Sequence, residues 1–216
     1  MKFDRSYKIV PLATWPRAAL FRSFRSFDDA VMTCSFEPDI LPLYRRAKAC
    51  GDSFFLMTLF AIAKAMNSVP EMRMRFLNDE AVAEYEVVHP STPLLTSDGE
   101  NYRQTTLPYF PTFAEFALAA KPIVEAVRRG GADGALRDED LPNIFCASCV
   151  PWFSASGYVP ATFVRSQDVH VLTWFKMTAA GTVLVNSTFN HCFTDGLHVG
   201  RFFSAVAENF AHPETL

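Results

Sequence analysis

Thr182-Val183-Leu184-Val185-Asn186-Ser187-Thr188-Phe189-Asn190-His191-Cys192-Phe193-Thr194-Asp195-Gly196 carries a strand, a corner and the start of a helix in one run. Val183, Val185, Ser187 and Phe189 alternate with Leu184, Asn186, Thr188 and Asn190, which is the period of a strand. The second set grows more polar toward its end, as when one face of a sheet opens into a site. Beyond the corner the period changes. Val199, Phe202, Phe203, Val206 and Phe210 follow the i, i+3, i+4, i+7 spacing of a helix over Asp195–Phe210. The corner itself reads H-x-x-x-D-G. A neutral imidazole can take a proton from a hydroxyl or thiol, so His191 is a candidate general base. A turn histidine beside an N-capping Asp195 is the competing reading. Asp195 either orients the imidazole directly or is structural, paired with a distant cation; Arg17 and Arg201 are both candidates.

Working outward, the pattern predicts a short amphipathic helix from Asp39 to Cys50, ending at Gly51. A strong, largely buried helix follows from Ser53 to Asn67, with Ser53 or Asp52 as its N-cap. Strand-like runs come next at Met72–Leu77, Ala83–His89, Thr92–Ser97 and Tyr102–Tyr109, punctuated by Pro90, Asp98-Gly99 and Pro108. Thr112–Arg129 reads as a helix closed by Gly130-Gly131, and Gly130–Asn143 as an exposed loop. Ile144–Val150 and Val169–Met177 complete the strands. Strands and helices without strict βαβ alternation imply α/β architecture, a mixed sheet covered by helices.

The chain has 216 residues, half of them hydrophobic, with 21 Phe, which is enough for one domain over 1–216 with an aromatic-rich core. A net charge of −3 gives no electrostatic case for nucleic acid or an anionic membrane. Met1-Lys2-Phe3-Asp4-Arg5 lacks signal-peptide character, and no apolar run approaches the ~20 residues of a membrane span. Five cysteines, an odd number, suit a reduced, cytoplasmic protein. Cys146-Ala-Ser-Cys149 lies in a strand, not at a helix start, and has no second ligand pair, so redox and metal chemistry are not expected. His89, His170, His198 and His212 show no metal-ligand spacing. No phosphate-binding glycine motif is present. Trp15-Pro16-Arg17 and Lys176 read as packing and solvated charge, or as groups that meet a phosphate.

Four separated segments resemble the trimeric, catalytic-histidine chloramphenicol acetyltransferases, in order and over nearly the whole length. They are Trp15–Phe21, Glu71–Arg75, Cys146–Trp152 and Asn190–Val199. The resemblance implies a two-layer sandwich of the CoA-dependent acyltransferase fold. It implies transfer of acetyl from acetyl-CoA, a cosubstrate and not a bound cofactor, to a hydroxyl of chloramphenicol. His191 would be the base, Ser148 the oxyanion donor and Thr173 the holder of a water. Asp195 would pair with Arg17, and Trp152 and Lys176 would line the CoA channel, the lysine near the 3′-phosphate. Phe24, Ala30 and Tyr102 fall on acceptor-pocket positions. A homotrimer is implied, with His191 from one subunit and much of the acceptor pocket from the next.

The departures fall outside the proton-transfer groups. Asn190 replaces the first histidine of the family's pair and Cys146 an asparagine. Phe24 replaces a tyrosine, Tyr102 a phenylalanine, and Ser53 stands where a second basic residue is expected. Asp28 and Asp29 enter an apolar stretch. A different hydroxyl acceptor is therefore the first rival. A dihydrolipoyl-type acyltransferase is disfavoured because no lipoyl segment is visible. A non-catalytic ligand-binding protein is the rival from another class.

Overall fold

The computed structural model describes residues 3–130, 141–162, 164–165 and 167–216. In chain order the elements are β1 (Tyr7–Pro11), α1 (Ala18–Arg25), β2 (Val31–Phe36), α2 (Leu41–Cys50) and α3 (Phe54–Ser68). A 3₁₀ turn at Pro70–Arg73 leads to β3 (Met74–Phe76), β4 (Ala81–Tyr85), β5 (His89–Leu95), β6 (Tyr102–Thr106) and α4 (Phe113–Arg128). Then come β7 (Ile144–Val150), β8 (Val171–Phe175), β9 (Val185–Asn190) and α5 (Gly196–Ala211). The main sheet has the order β2-β9-β8-β7-β5-β6; the β5–β7 and β7–β8 pairs are parallel and the others antiparallel. A small antiparallel sheet has the order β1-β4-β3.

Side-chain alternation divides the main sheet into two unlike faces. Phe145, Ala147, Leu172, Trp174, Val185 and Phe189 join Leu43, Phe60, Phe116 and Phe202 of α2, α3, α4 and α5 in one core. The expected two-layer sandwich is thus present, with helices on one face. α3 lies at its centre. It is apolar nearly all round, and every residue from Leu56 to Ala63 is buried. The opposite sheet face is polar: Ser148, Thr173, Asn186 and Ser35 form one register row across β7, β8, β9 and β2.

The main sheet also contains a split. β5 and β7 pair only from His89–Ser91 against Ile144–Cys146; beyond that β5 stays with β6 and β7 with β8. Pro93 supplies a reason. The Pro90 carbonyl accepts from Leu107 N–H on the β6 side, and His89 N–H donates to Asn143 O on the β7 side. Successive residues face opposite neighbours, so Pro93 turns its backbone edge toward β7, where it has no N–H to give. Pro90 therefore does not end a strand, as the sequence suggested; both prolines lie inside β5.

Other boundaries also shift. Asp39 precedes α2, where its carboxylate accepts the Leu41 N–H at 2.8 Å, and the helix begins at Leu41. Ser53, not Asp52, caps α3 by accepting from Leu56 N–H at 3.3 Å. The run from Met72 is half 3₁₀ turn, and β4 starts at Ala81 and ends before His89. Thr112, read as the first helical residue, is the N-cap of α4. Most of the loop expected over 130–143 lies outside the described residues. β1, α1 and β2 had no counterpart in the pattern. β1 is almost wholly exposed and α1 only eight residues long, so neither shows a long apolar period.

Two glycines test the turns. Both have left-handed backbone, Gly51 at φ 70° after α2 and Gly181 at φ 87° before β9. A Cβ at Gly51 meets open space, whereas one at Gly181 lies 2.9 Å from Leu41 Cβ. Gly51→Ala should cost about 1 kcal/mol from backbone strain. Gly181→Ala should cost about 2–4 kcal/mol, because Leu41 must also move. Urea unfolding midpoints check this; equal losses would mean that Leu41 yields freely.

Candidate active site

His191 directly follows β9, and its N–H donates to Ala30 O at 2.8 Å, so the corner is stitched to the residue before β2. Asn190 builds the turn. Its Oδ1 accepts Cys192 N–H at 2.9 Å, its Nδ2 donates to Gln167 O at 3.0 Å, and its carbonyl accepts from Phe193, Thr194 and the Thr194 hydroxyl. A side-chain amide accepting two residues on is an Asx turn. The Phe24 ring stacks flat on the imidazole, with centroids 3.8 Å apart and planes at 12°. His191 Nδ1 is buried with no hydrogen-bond partner among the described residues. With Nδ1 buried, Nε2 is the nitrogen left to serve a substrate.

Arg17 grips this corner with its whole guanidinium. Nε donates to Cys192 O at 3.1 Å, Nη2 to His191 O at 3.0 Å and Nη1 to the Asp195 carboxylate at 2.8 Å. This resolves the choice left by the sequence: Arg17 is the partner, and Arg201 lies exposed on α5. The other oxygen of Asp195 accepts Leu197 N–H at 3.0 Å, capping α5, while Asp195 N–H donates to His198 Nδ1 at 3.1 Å. His198 Nε2 in turn lies 3.5 Å from Glu71. Among the described residues the Asp195 side chain meets Arg17, Leu197 and His198, not His191. Asp195 is thus structural and does not orient the imidazole. Burial pushes its carboxyl up, but the Arg17 bond, the His198 charge and the Leu197 N–H outweigh that and hold it below the ordinary carboxylate value.

A second group of residues gathers at the sheet split. Ser148, Trp152, Lys176 and Tyr102 all line a cleft of about 990 Å³, with Phe54, Phe55 and Thr58 from α3 on its helix side. Trp152 and Tyr102 are largely exposed, and Lys176 lies just past β8. Gln104 and Arg128 also line it. The sequence did not mark them, since only the folded split brings the end of α4 beside β5 and β6. Thr173 is buried in register with Ser148 on one side and Asn186 on the other, but does not line the cleft.

The two groups stand apart within one chain. Asn190 lies four residues along β9 from Asn186, roughly 13 Å, and Ser148 lies two strand spacings across, about 10 Å. Phe24 and Ala30 belong with His191; Ser148, Tyr102, Trp152 and Lys176 belong with the cleft. A single chain does not bring His191 to Ser148.

The remaining expectations are simpler. Cys146 and Cys149 are both free thiols, and burial pushes Cys149 up to about 12, so it is not a redox nucleophile at neutral pH. No group of metal-ligating side chains occurs among the described residues. His170 is fully buried; burial first, and Arg75's charge second, hold it down at about 4, neutral and structural. No helix among the described residues is long and apolar enough to cross a membrane.

A model of the chloramphenicol acetyltransferase family matches residues 5–207. The chain belongs to the chloramphenicol acetyltransferase family. It is 25% identical to the chloramphenicol acetyltransferase of Streptomyces acrimycini over 213 residues, 96% of each chain. It is 24% identical to that of Proteus mirabilis over 205 residues, 93% of each. A solved chloramphenicol acetyltransferase superposes with a TM-score of 0.85 at 27% identity, over 95% of this chain and 100% of the other. The dihydrolipoamide acetyltransferase of Azotobacter vinelandii, at 17% identity and a TM-score of 0.64 over 91% and 87% of the chains, shares the fold. Membership in the chloramphenicol acetyltransferase family makes this chain an acyltransferase, and the corner and the cleft are where its chemistry is to be sought.

The clamp yields a pH prediction. Asp195 has a depressed folded pKa, so its contribution to stability is complete above the ordinary value of 3.8 and is lost as pH falls through the lower folded value. Asp195→Asn should flatten that acid limb of stability. Arg17→Ala should cost about 1–3 kcal/mol at neutral pH, because it leaves two carbonyls and a carboxylate without their donor. Urea unfolding across the acid range checks both. An Arg17→Ala protein as stable as the parent would remove the clamp from the account.

Proposed function

We propose that the protein is a chloramphenicol O-acetyltransferase that uses acetyl-CoA directly, with no acyl-enzyme. His191 Nε2 takes the proton of the acceptor hydroxyl, and the oxygen attacks the thioester carbonyl carbon. Ser148 donates to the oxyanion of the tetrahedral intermediate. The carbon–sulfur bond breaks and the imidazolium returns its proton to the leaving thiolate. Thr173, buried beside Ser148, holds a water in the same polar row. Trp152 and Lys176 receive the nucleotide end of CoA, and Phe24, Ala30 and Tyr102 the acceptor. The setting is the cytoplasm, where acetyl-CoA is available and thiols stay reduced.

The observation that carries this reading is the cleft through the β5–β7 split, with a serine hydroxyl at its wall. At about 990 Å³ it has room for a large ligand. Thr58 on its helix side is buried with a hydroxyl that lacks a partner among the described residues, a group left for a ligand. The separation of His191 from Ser148 supports a homotrimer in which one subunit's corner closes over the next subunit's cleft. Each active site is then a property of the assembly.

A different hydroxyl acceptor is the second reading. Phe24 gives the imidazole an apolar lid without a hydroxyl, and the Tyr102 phenol stands exposed at the cleft. A pocket with altered polar groups shifts its preference among acceptors.

Release of CoA thiol from acetyl-CoA, with and without chloramphenicol, tests the chemistry. Chloramphenicol-dependent release that disappears in His191→Ala, with acetyl-CoA binding kept, is the expected result. Acetyl-CoA binding without chloramphenicol-dependent release would favour the other acceptor. Ligand binding without turnover on any hydroxyl would make this a sequestering protein. Co-refolding His191→Ala with Ser148→Ala in equal amounts should restore about a quarter of the parent's activity, since one interface in four pairs an intact base with an intact serine. Mixtures no more active than the average of the two variants would place both groups in one subunit.

A further inference from the structure

Resting on the acetyl-CoA reading above, we propose that Arg128 is a phosphate-binding cation of the donor cleft, acting with Lys176. Arg128 and Lys176 are the only charged side chains among the cleft's described lining residues, and both are positive. Among the described lining residues no carboxylate stands with them. The rest of the wall is mostly apolar, so the site suits a ligand whose charge is gathered at one end. In a chain of net charge −3 this pair is a local exception, and it sets the sign of the ligand that enters.

The fold puts the two cations on opposite sides of the split. Lys176 follows β8, which lies beyond β7. Arg128 ends α4, beside the turn that joins β5 to β6: a Cβ on Gly130 would come within 3.3 Å of the Ser97 hydroxyl. Arg128 also lies on the stripe of α4 that faces the start of α3. It is two turns after Lys121, which pairs with Asp52 at 3.6 Å. Ser53, next to Asp52, spends its hydroxyl on capping α3 and brings no charge. The cation is thus supplied from α4. Among the described residues no carboxylate lies within ion-pair distance of Arg128, whereas Arg129 bonds Glu125 at 2.8 Å. A guanidinium at a helix C-terminus is favoured by the helix dipole, and its planar fork suits two phosphate oxygens at once.

Calorimetric titration of CoA and of 3′-dephospho-CoA into the full-length protein tests this, with Arg128→Ala, Arg128→Lys, Lys176→Ala and Arg129→Ala as variants. Arg128→Ala should weaken CoA binding about 10-fold. The same variant should raise KM for acetyl-CoA by a similar factor with kcat unchanged, and it should flatten the salt dependence. Arg128→Lys should recover part of the loss, and Arg129→Ala should bind as the parent does. A loss confined to CoA assigns Arg128 to the 3′-phosphate; an equal loss on both ligands assigns it to the diphosphate. Unchanged affinity in Arg128→Ala, while Lys176→Ala weakens binding, overturns the proposal and leaves the acetyl-CoA reading standing. No binding of CoA by the parent protein overturns both.

Discussion

The Arg17 guanidinium is the tie on which the geometry around His191 depends. It joins a residue from the first tenth of the chain to carbonyls at 191 and 192 and to the carboxylate at 195. A helix start and a strand end meet there, and each leaves backbone groups without an internal partner. Three donors on one rigid plane satisfy two of those carbonyls and fix the side chain that caps α5. The rest of the N-terminal region follows from this tie. β1 is almost wholly exposed and α1 only eight residues long, yet they close over a second core built from Leu12, Phe21, Met74, Val82, Cys192 and Phe193. Phe24 rides on the same helix and is thereby set flat against the imidazole. The Glu71–His198–Asp195 chain braces the corner from the opposite side. The His191 imidazole is held through its backbone and its ring face, and among the described residues no carboxylate bonds its Nδ1.

The second constraint is the loss of pairing between β5 and β7. A closed sheet would bury Ser148 against a neighbouring strand. Pro93 withholds a donor where the strands part, and the opening it allows becomes the cleft. The energetic cost of leaving strand edges unpaired is offset beneath the sheet. There α3 and its neighbours bury large aromatic side chains, each contributing about 1.5–3 kcal/mol. The rich supply of phenylalanine thus supports a sheet that is deliberately incomplete.

Much of this was legible in the sequence where the pattern is local. β7 was read to the residue, and the corner, α4 and α5 to within one or two, because period and turn lie within a few positions of each other. The polar drift of β9 also proved real: Asn186, Thr188 and Asn190 share the helix-free face. What was not legible is non-local. Nothing near Asp195 distinguishes Arg17 from Arg201; only the approach of α1 to the corner does. Pro90 looks like a breaker until it is known which neighbour each residue of β5 faces. Arg128 looked like an ordinary basic residue at a helix end because its surroundings come from β5, β6 and α3.

The distribution of the candidate residues bears on why such a site would be shared between subunits. In the proposed mechanism His191 and Ser148 must meet across the reacting carbon, yet each is fixed to a different part of one rigid sheet. Bringing them together within a chain would mean bending β9 or β8, and both are buried in register with their neighbours. Packing at this density does not deform by 10 Å, but it does not oppose a second copy docking against the polar face. Among the described residues that face has no helix over it, and Thr33 and Ser35 stand exposed there beside buried Thr173 and Asn186. A rigid half-site on each of two edges, repeated by symmetry as in the proposed trimer, would bring His191 to a Ser148 without moving a strand. In the proposed assembly the interface would supply the positional precision that proton transfer needs, and the rigidity that separates the groups in one chain would align them between subunits.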